Sequence, residues 1–250
     1  MHIVWITALG VGGSTMVGSL IGFIFKNISH KFSDIILSFA AGVMLAASII
    51  GLVLPSLEYG GGIALPVTVA GIFSGAFCIK LLDKFVPYLQ KLAGFSATDD
   101  ENIQLNSVLL FVFAIAIHNF PEGLAAGVSF GTGNMKDALT VAGGIALQNL
   151  PEGMIIIAPM LSAGISPSRT LLSALGTGVI EILGTLIGYY GVTVSGAILP
   201  FALAFAGGTM LYVISDEMIP QTHSRSCEQN ITFALFLGFC LMLATDFYIG

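Results

Sequence analysis

Long apolar runs dominate this chain and leave it few ways to fold. Eight stretches, near 3–25, 33–54, 63–86, 107–130, 136–160, 168–191, 196–219 and 231–249, each hold about 20 mostly apolar residues. That is the length an α-helix needs to cross a hydrocarbon core about 30 Å thick. Charged residues make up 9% of the 250 positions, against about 25% in a soluble domain. So few charges do not cover a water-facing surface, and the mean hydropathy of +0.96 agrees. Inside a bilayer each backbone N–H and C=O must be satisfied within the segment, which selects helices for runs of this length. The expectation is an all-α integral membrane protein of eight transmembrane helices, one domain over residues 1–250. The 31 glycines suit such a bundle, because Gly lets membrane helices approach closely. The first run lacks a basic lead and continues to Phe25, so it reads as a spanning helix rather than a signal peptide.

The basic residues orient this bundle. Lys26 and Lys31 follow helix 1, Lys80, Lys84 and Lys91 end or follow helix 3, Arg169 follows helix 5 and Arg225 follows helix 7. Seven of the eight basic residues thus fall on one side, with Lys136 alone on the other. The positive-inside rule makes that side cytoplasmic and puts both termini outside. The longest polar connection is 87–106, which contains the acidic segment TDDEN at 98–102.

Two pairs of runs resemble each other internally. Helix 2 contains AAGVMLAASIIGLVLP and helix 7 AGGTMLYVISDEMIP, each with Met-Leu after a small-Gly start and a terminal proline. Helices 1 and 6 share a GxxxG, Gly18/Gly22 and Gly184/Gly188. Helix 1 runs inward and helix 6 outward, so the pattern predicts a 3+2+3 arrangement with an inverted repeat of helices 1–3 and 6–8.

Several functions are disfavoured at once. A net charge of −6 argues against nucleic acid as a partner. The three cysteines, Cys78, Cys227 and Cys240, are far apart with no CxxC, so neither a disulfide framework nor a thiolate metal site is expected.

The chemistry concentrates in two blocks. HNFPEG occupies 118–123 in helix 4 and QNLPEG occupies 148–153 in helix 5. His118 and Glu122 are four apart and Asn119 and Glu122 three apart, so they share a helical face. Gln148, Asn149 and Glu152 repeat the arrangement on the antiparallel neighbour. Pro121 and Pro151 remove the hydrogen bonds to the Ile117 and Leu147 carbonyls, which predicts an opened turn at each block. Helix 6 adds Glu181, and a lone carboxylate at membrane depth is by default a functional-site hypothesis. Imidazole with carboxylates suits Zn²⁺, Fe²⁺ and Mn²⁺, whereas calcium prefers oxygen alone.

At these residues the sequence resembles the Zrt/Irt-like protein (ZIP) family of divalent metal transporters, bacterial type. The fourth-helix signature HNxPEG is intact, and the fifth-helix signature appears with Gln148 for the frequent His. The resemblance covers essentially the whole chain. It implies a binuclear metal centre in which His118, Gln148, Glu122 and Glu152, with Met44 of helix 2, form one site. Asn119, Asn149, Glu122, Glu152 and Glu181 would form the second, with the two shared glutamates bridging. It places Glu58 and Asp246 at an outer entrance, and Asp216, Glu217 and His223 at a cytoplasmic exit.

It further implies uptake of Zn²⁺, with Fe²⁺, Mn²⁺ and Cd²⁺ as other substrates, into the cytoplasm by alternating access. Helices 1, 4, 5 and 6 would slide against 2, 3, 7 and 8, in the plasma (inner) membrane, as a homodimer. The metal is substrate, and no catalytic cofactor is expected. Gln148 leaves one imidazole in the first site, Asn149 replaces the Asp of some relatives, and the helix 3–4 loop has TDDEN in place of a His-rich tract. An intramembrane metalloenzyme would want a motif such as HExxH, which is absent, and no enzymatic activity is expected. The remaining alternative is a proton-linked carrier of an organic solute using the glutamates as relays.

Overall fold

The computed structural model describes residues 2–25, 29–92, 103–223 and 229–249, and among these every regular element is helical. Eight long helices follow in order: α1 (His2–Ile24), α2 (His30–Tyr59), α3 (Ala64–Leu92), α4 (Ile103–Ser129), α5 (Met135–Ser162), α6 (Pro167–Val194), α7 (Gly196–His223) and α8 (Gln229–Ile249). Seven contain stretches long and apolar enough to cross a membrane, and α4, at 27 residues, has the length. The acidic segment 98–102, Lys26, Arg225 and Cys227 lie outside the described residues.

Local sequence sets the helix ends. The Ser29 side chain accepts from the Phe32 N–H to start α2, and the Asn134 side chain accepts from the Lys136 N–H to start α5. Pro167 opens α6, where a missing N–H costs nothing. α5 stops at Gly164, which takes φ +78°. There the Gly164 N–H reaches the Leu161 carbonyl and the Ile165 N–H the Met160 carbonyl, both at 3.0 Å, the paired bonds of a Schellman cap.

Three features differ from the sequence reading. The polar connection expected over 87–106 is shorter, because backbone helix continues to Leu92 and resumes at Ile103. A helix past the bilayer still satisfies its own backbone, so the apolar boundary is not the helical one.

Pro55 and Pro220 do not end their helices. Each is preceded by a π-helical turn, Ile49–Val53 in α2 and Ile214–Met218 in α7. There the Leu54 N–H bonds to the Ile49 carbonyl and the Ile219 N–H to the Ile214 carbonyl. This five-residue spacing shifts the ladder as it reaches the ring that lacks a donor.

Pro121 and Pro151 also leave α4 and α5 continuous rather than opened. One missing bond is tolerated where neighbouring helices hold the segment on several sides.

Packing follows two sets. α1 lies along α5 and α6, and α4 along α6; α2 lies along α8, and α3 along α7. The two sets meet mainly where α2 touches α5 and α4 touches α7. Outward faces carry large apolar side chains, including Ile6 and Leu9 on α1, Phe73 and Phe77 on α3, and Phe236 and Leu237 on α8. The interior instead holds Asn119, Glu122, Gln148, Asn149 and Glu181, all at most 1% exposed. This inversion of a soluble protein's pattern fits lipid outside and a polar site within.

Candidate metal centre

Two glycine contacts bring the site helices together. Gly123 on α4 rests against the Glu181 backbone carbonyl of α6, and Gly153 on α5 against the Thr15 carbonyl of α1. A Cβ at either position would meet backbone that has nowhere to go. The Ser19 hydroxyl of α1 also donates to the Gly153 carbonyl at 3.1 Å. The polar blocks are therefore held at helix crossings with little slack.

The side chains then pair across those crossings. Gln148 Nε2 on α5 donates to Glu122 Oε1 on α4 at 2.7 Å. Asn149 Nδ2 donates to Glu181 Oε1 on α6 at 2.6 Å and to the Val11 carbonyl of α1 at 3.3 Å. Glu122 lies within electrostatic reach of both Glu152 and Glu181, and Glu152 within reach of His118. Six of the seven central residues expected from the two blocks and helix 6 are thus linked, and the seventh, Asn119, is buried on the same helix as Glu122.

The pairing leaves a particular set of atoms unsatisfied. Glu122 Oε2, Glu181 Oε2, Gln148 Oε1, Asn149 Oδ1 and Asn119 Oδ1 are buried with no hydrogen-bond partner. A buried oxygen left unpaired costs about 1–3 kcal/mol, and more when charged. Five buried on α4, α5 and α6 are costly for a purely structural arrangement. All are hard or borderline oxygen donors, the type that completes a divalent cation's shell beside one imidazole. Among the described residues no three His, Cys, Asp or Glu side chains already stand in ligating geometry. The amide NH₂ groups of Gln148 and Asn149 occupy one oxygen of Glu122 and Glu181, where a cation would otherwise sit. Because an amide carries an acceptor beside its donor, rotating either one would present oxygen instead.

His118 marks the edge of this cluster. Its Nε2 stands 2.9 Å from Glu217 Oε1 on the π turn of α7. His118, Glu152 and Glu217 line a cavity of about 100 Å³ with Ile115, Ile155 and Gln221. The cavity lies toward the end of the bundle where α2 begins and α7 finishes. Glu217, expected as an exit residue in a solvated turn, is thus drawn into contact with the central histidine.

The other expected residues are placed differently. Met44 is 1% exposed and belongs to the main apolar cluster with Ile145 and Leu203. Glu58 is exposed on the last turn of α2. Asp246 is partly buried on α8 and lies within electrostatic reach of Asp137 in the first turn of α5. Asp216 is exposed. His223 is tied by its ring nitrogens to Thr222, the Ile219 carbonyl and Thr232, away from the cavity. Sequence reasoning did not single out Gln221, which lines the cavity, Asp137, which neighbours Asp246, or Thr15, which neighbours Glu181. The first two looked like ordinary helix-end polar residues, and nothing local flagged the third.

Residues 96–246 match the sequence pattern of the family described as ZIP zinc transporter. This chain belongs to the ZIP family. Among the similar proteins, zinc transporter GufA of Myxococcus xanthus is 36% identical over 252 residues, covering 98% of each chain. Zinc transporter ZIPB of Bordetella bronchiseptica is 36% identical over 259 residues, covering 100% of this ZIP chain and 83% of its own length. Human zinc transporter ZIP11 is 28% identical, covering 95% of this chain and 94% of its own. The two polar blocks of this ZIP protein, and Glu181, lie inside the matched segment.

Proposed function

We propose that this protein carries divalent transition-metal cations, Zn²⁺ foremost, into the cytoplasm through a binuclear site between α4, α5 and α6. The observation that carries this reading is the cluster of unsatisfied buried oxygens on Glu122, Glu181, Gln148, Asn149 and Asn119. A divalent cation supplies the positive charge and the coordination that these groups lack. The names of the relatives, each called a zinc transporter, point to the same cargo. Fe²⁺, Mn²⁺ and Cd²⁺ share the coordination chemistry closely enough to be further substrates.

Alternating access would move α1, α4, α5 and α6 against α2, α3, α7 and α8. The packing of the helices into two sets supports this division. The cavity at His118, Glu152 and Glu217 sits at the end with the basic residues. By the positive-inside rule that end is cytoplasmic, so this arrangement would be the inward-facing one. A 3+2+3 inverted repeat is supported by pairs of matching contacts: α1–α5 with α6–α4, and α2–α8 with α7–α3. The π turns before Pro55 and Pro220 fall at matching places in α2 and α7.

The test is flux of Zn²⁺, Fe²⁺, Mn²⁺ and Cd²⁺ into liposomes holding wild type or Glu122→Ala. Wild-type flux with at least a tenfold loss in the variant is expected. That corresponds to about 1.4 kcal/mol. Unchanged flux in Glu122→Ala would sink the site assignment, and absence of wild-type flux would sink the reading itself.

A further inference from the structure

Most buried hydroxyls in this bundle donate to a backbone carbonyl, on their own helix or, for Ser38 and Ser56, on a neighbour; Thr15 does not. Ser19 donates to the Thr15 carbonyl, Ser48 to Met44, and Thr185 to Glu181, each four residues back; Ser129, Thr177 and Thr209 reach three back. This is the usual way a helical Ser or Thr satisfies itself in an apolar setting. Thr15 is 0% exposed, yet its Oγ1 has no hydrogen-bond partner. Thr140, on α5, is the other buried hydroxyl without a partner. The Thr15 hydroxyl instead faces the Glu181 carboxylate, within hydrogen-bonding reach of it but without the geometry of a well-formed bond. It shares that region with the unsatisfied oxygens of Glu181 and Asn149.

The helix crossings give the position a second meaning. Gly12 of α1 and Gly178 of α6 face each other reciprocally. Gly18 packs on the Leu150 carbonyl, just before Pro151, and Gly184 on the Phe120 carbonyl, just before Pro121. Gly22 packs on Met154 and Gly188 on Leu124. Gly153 rests on the Thr15 carbonyl as Gly123 rests on the Glu181 carbonyl. Thr15 therefore occupies in α1 the place that Glu181 occupies in α6. One mirror position carries a carboxylate and the other a neutral oxygen.

We infer that Thr15 is an oxygen ligand of the deep metal subsite, beside Glu181 and Asn149, acting directly or through a water on the ion. This inference rests on the transport reading above and adds a residue from α1 to it. A hydroxyl there adds a ligand without a fourth negative charge. The empty site then carries less self-repulsion than a carboxylate at both mirror positions would bring.

The test uses purified full-length protein stripped with a chelator and titrated with Zn²⁺, Cd²⁺ and Mn²⁺. Thr15→Val keeps the shape and removes the hydroxyl, and it is expected to weaken binding about tenfold, the low end for losing a supporting group at a metal site. Thr15→Ser is expected to restore it. The metal-free melting temperature of Thr15→Val should change little, because Asn149 still donates to Glu181. Thr15→Cys is expected to raise the Cd²⁺ over Mn²⁺ preference at least about tenfold, since thiolate favours the softer ion. Wild-type affinity in Thr15→Val, equal loss in the Val and Ser variants, or an unchanged Cd²⁺/Mn²⁺ ratio in Thr15→Cys overturns the ligand role. No metal binding by the wild type overturns the transport reading and this inference with it.

Discussion

His118 Nε2 and Glu217 Oε1 stand 2.9 Å apart and join α4 to α7. The contact crosses from one set of helices to the other at the rim of the cavity. It links the central histidine to a carboxylate that the sequence assigns to the exit. On the proposed route, an ion leaving His118 toward the cavity would meet Glu217 next. Glu217→Ala is therefore expected to lower Zn²⁺ uptake about tenfold, the scale of one charge-assisted hydrogen bond or ligand contact. Equilibrium binding should change less, because Glu122 and Glu181 remain. Uptake in liposomes beside binding isotherms separates the two, and equal losses in both would refute the exit role.

Asn149→Asp tests the second subsite. Asn149 Nδ2 now donates to Glu181 Oε1 at 2.6 Å. An aspartate would set carboxylate against carboxylate and strip Glu181 of its donor, costing about 1–3 kcal/mol without metal. With metal, the added charge should raise affinity for the second ion about tenfold. The expected result is a lower melting temperature in chelator and a larger upward shift on adding Zn²⁺.

Gly123→Ala and Gly153→Ala test how closely the site helices must approach. Each new Cβ would meet a backbone carbonyl, of Glu181 or of Thr15. Overpacking of this kind costs about 1–3 kcal/mol. Both variants should melt lower and transport poorly. Gly143→Ala, with nothing within 4 Å of its added methyl, should match or exceed wild-type stability.

Tyr59 offers a test of motion at the opposite end. Its hydroxyl donates to the Thr132 carbonyl at 2.9 Å, tying the end of α2 to the α4–α5 connection. If the helix sets move past each other, this bond opens as the inner cavity closes. Tyr59→Phe removes a contact of about 0.5–1.5 kcal/mol and should raise the outward-facing population several-fold. Faster labelling of Glu58→Cys, with the native cysteines replaced by serine, would report it; unchanged labelling would refute a latch role.

Much of this was readable from local spacing. The separation of three and four residues among His118, Asn119 and Glu122 fixes one face of one helix, and Gln148, Asn149 and Glu152 do the same on the next. Sequence also pointed to Glu181, because a carboxylate isolated in an apolar run is conspicuous. The readings that changed involve proline and distant partners. Pro55 and Pro220 looked like helix ends, since a missing N–H usually ends a ladder, but the π turns carry each helix through. Pro121 and Pro151 looked like openings, yet packing on several sides keeps α4 and α5 intact.

The sequence by itself determined that the chain forms spanning helices and that two of them carry matching polar half-sites. Both properties are local: one depends on the length of an apolar run, the other on the 3.6-residue turn. Only the tertiary structure decided that Gln148 holds Glu122, that Asn149 holds Glu181, that Glu217 reaches His118, and that Thr15 mirrors Glu181. Those pairings depend on where rigid helices cross, which glycine contacts fix to within a methyl group's width. No spacing along a single helix encodes that.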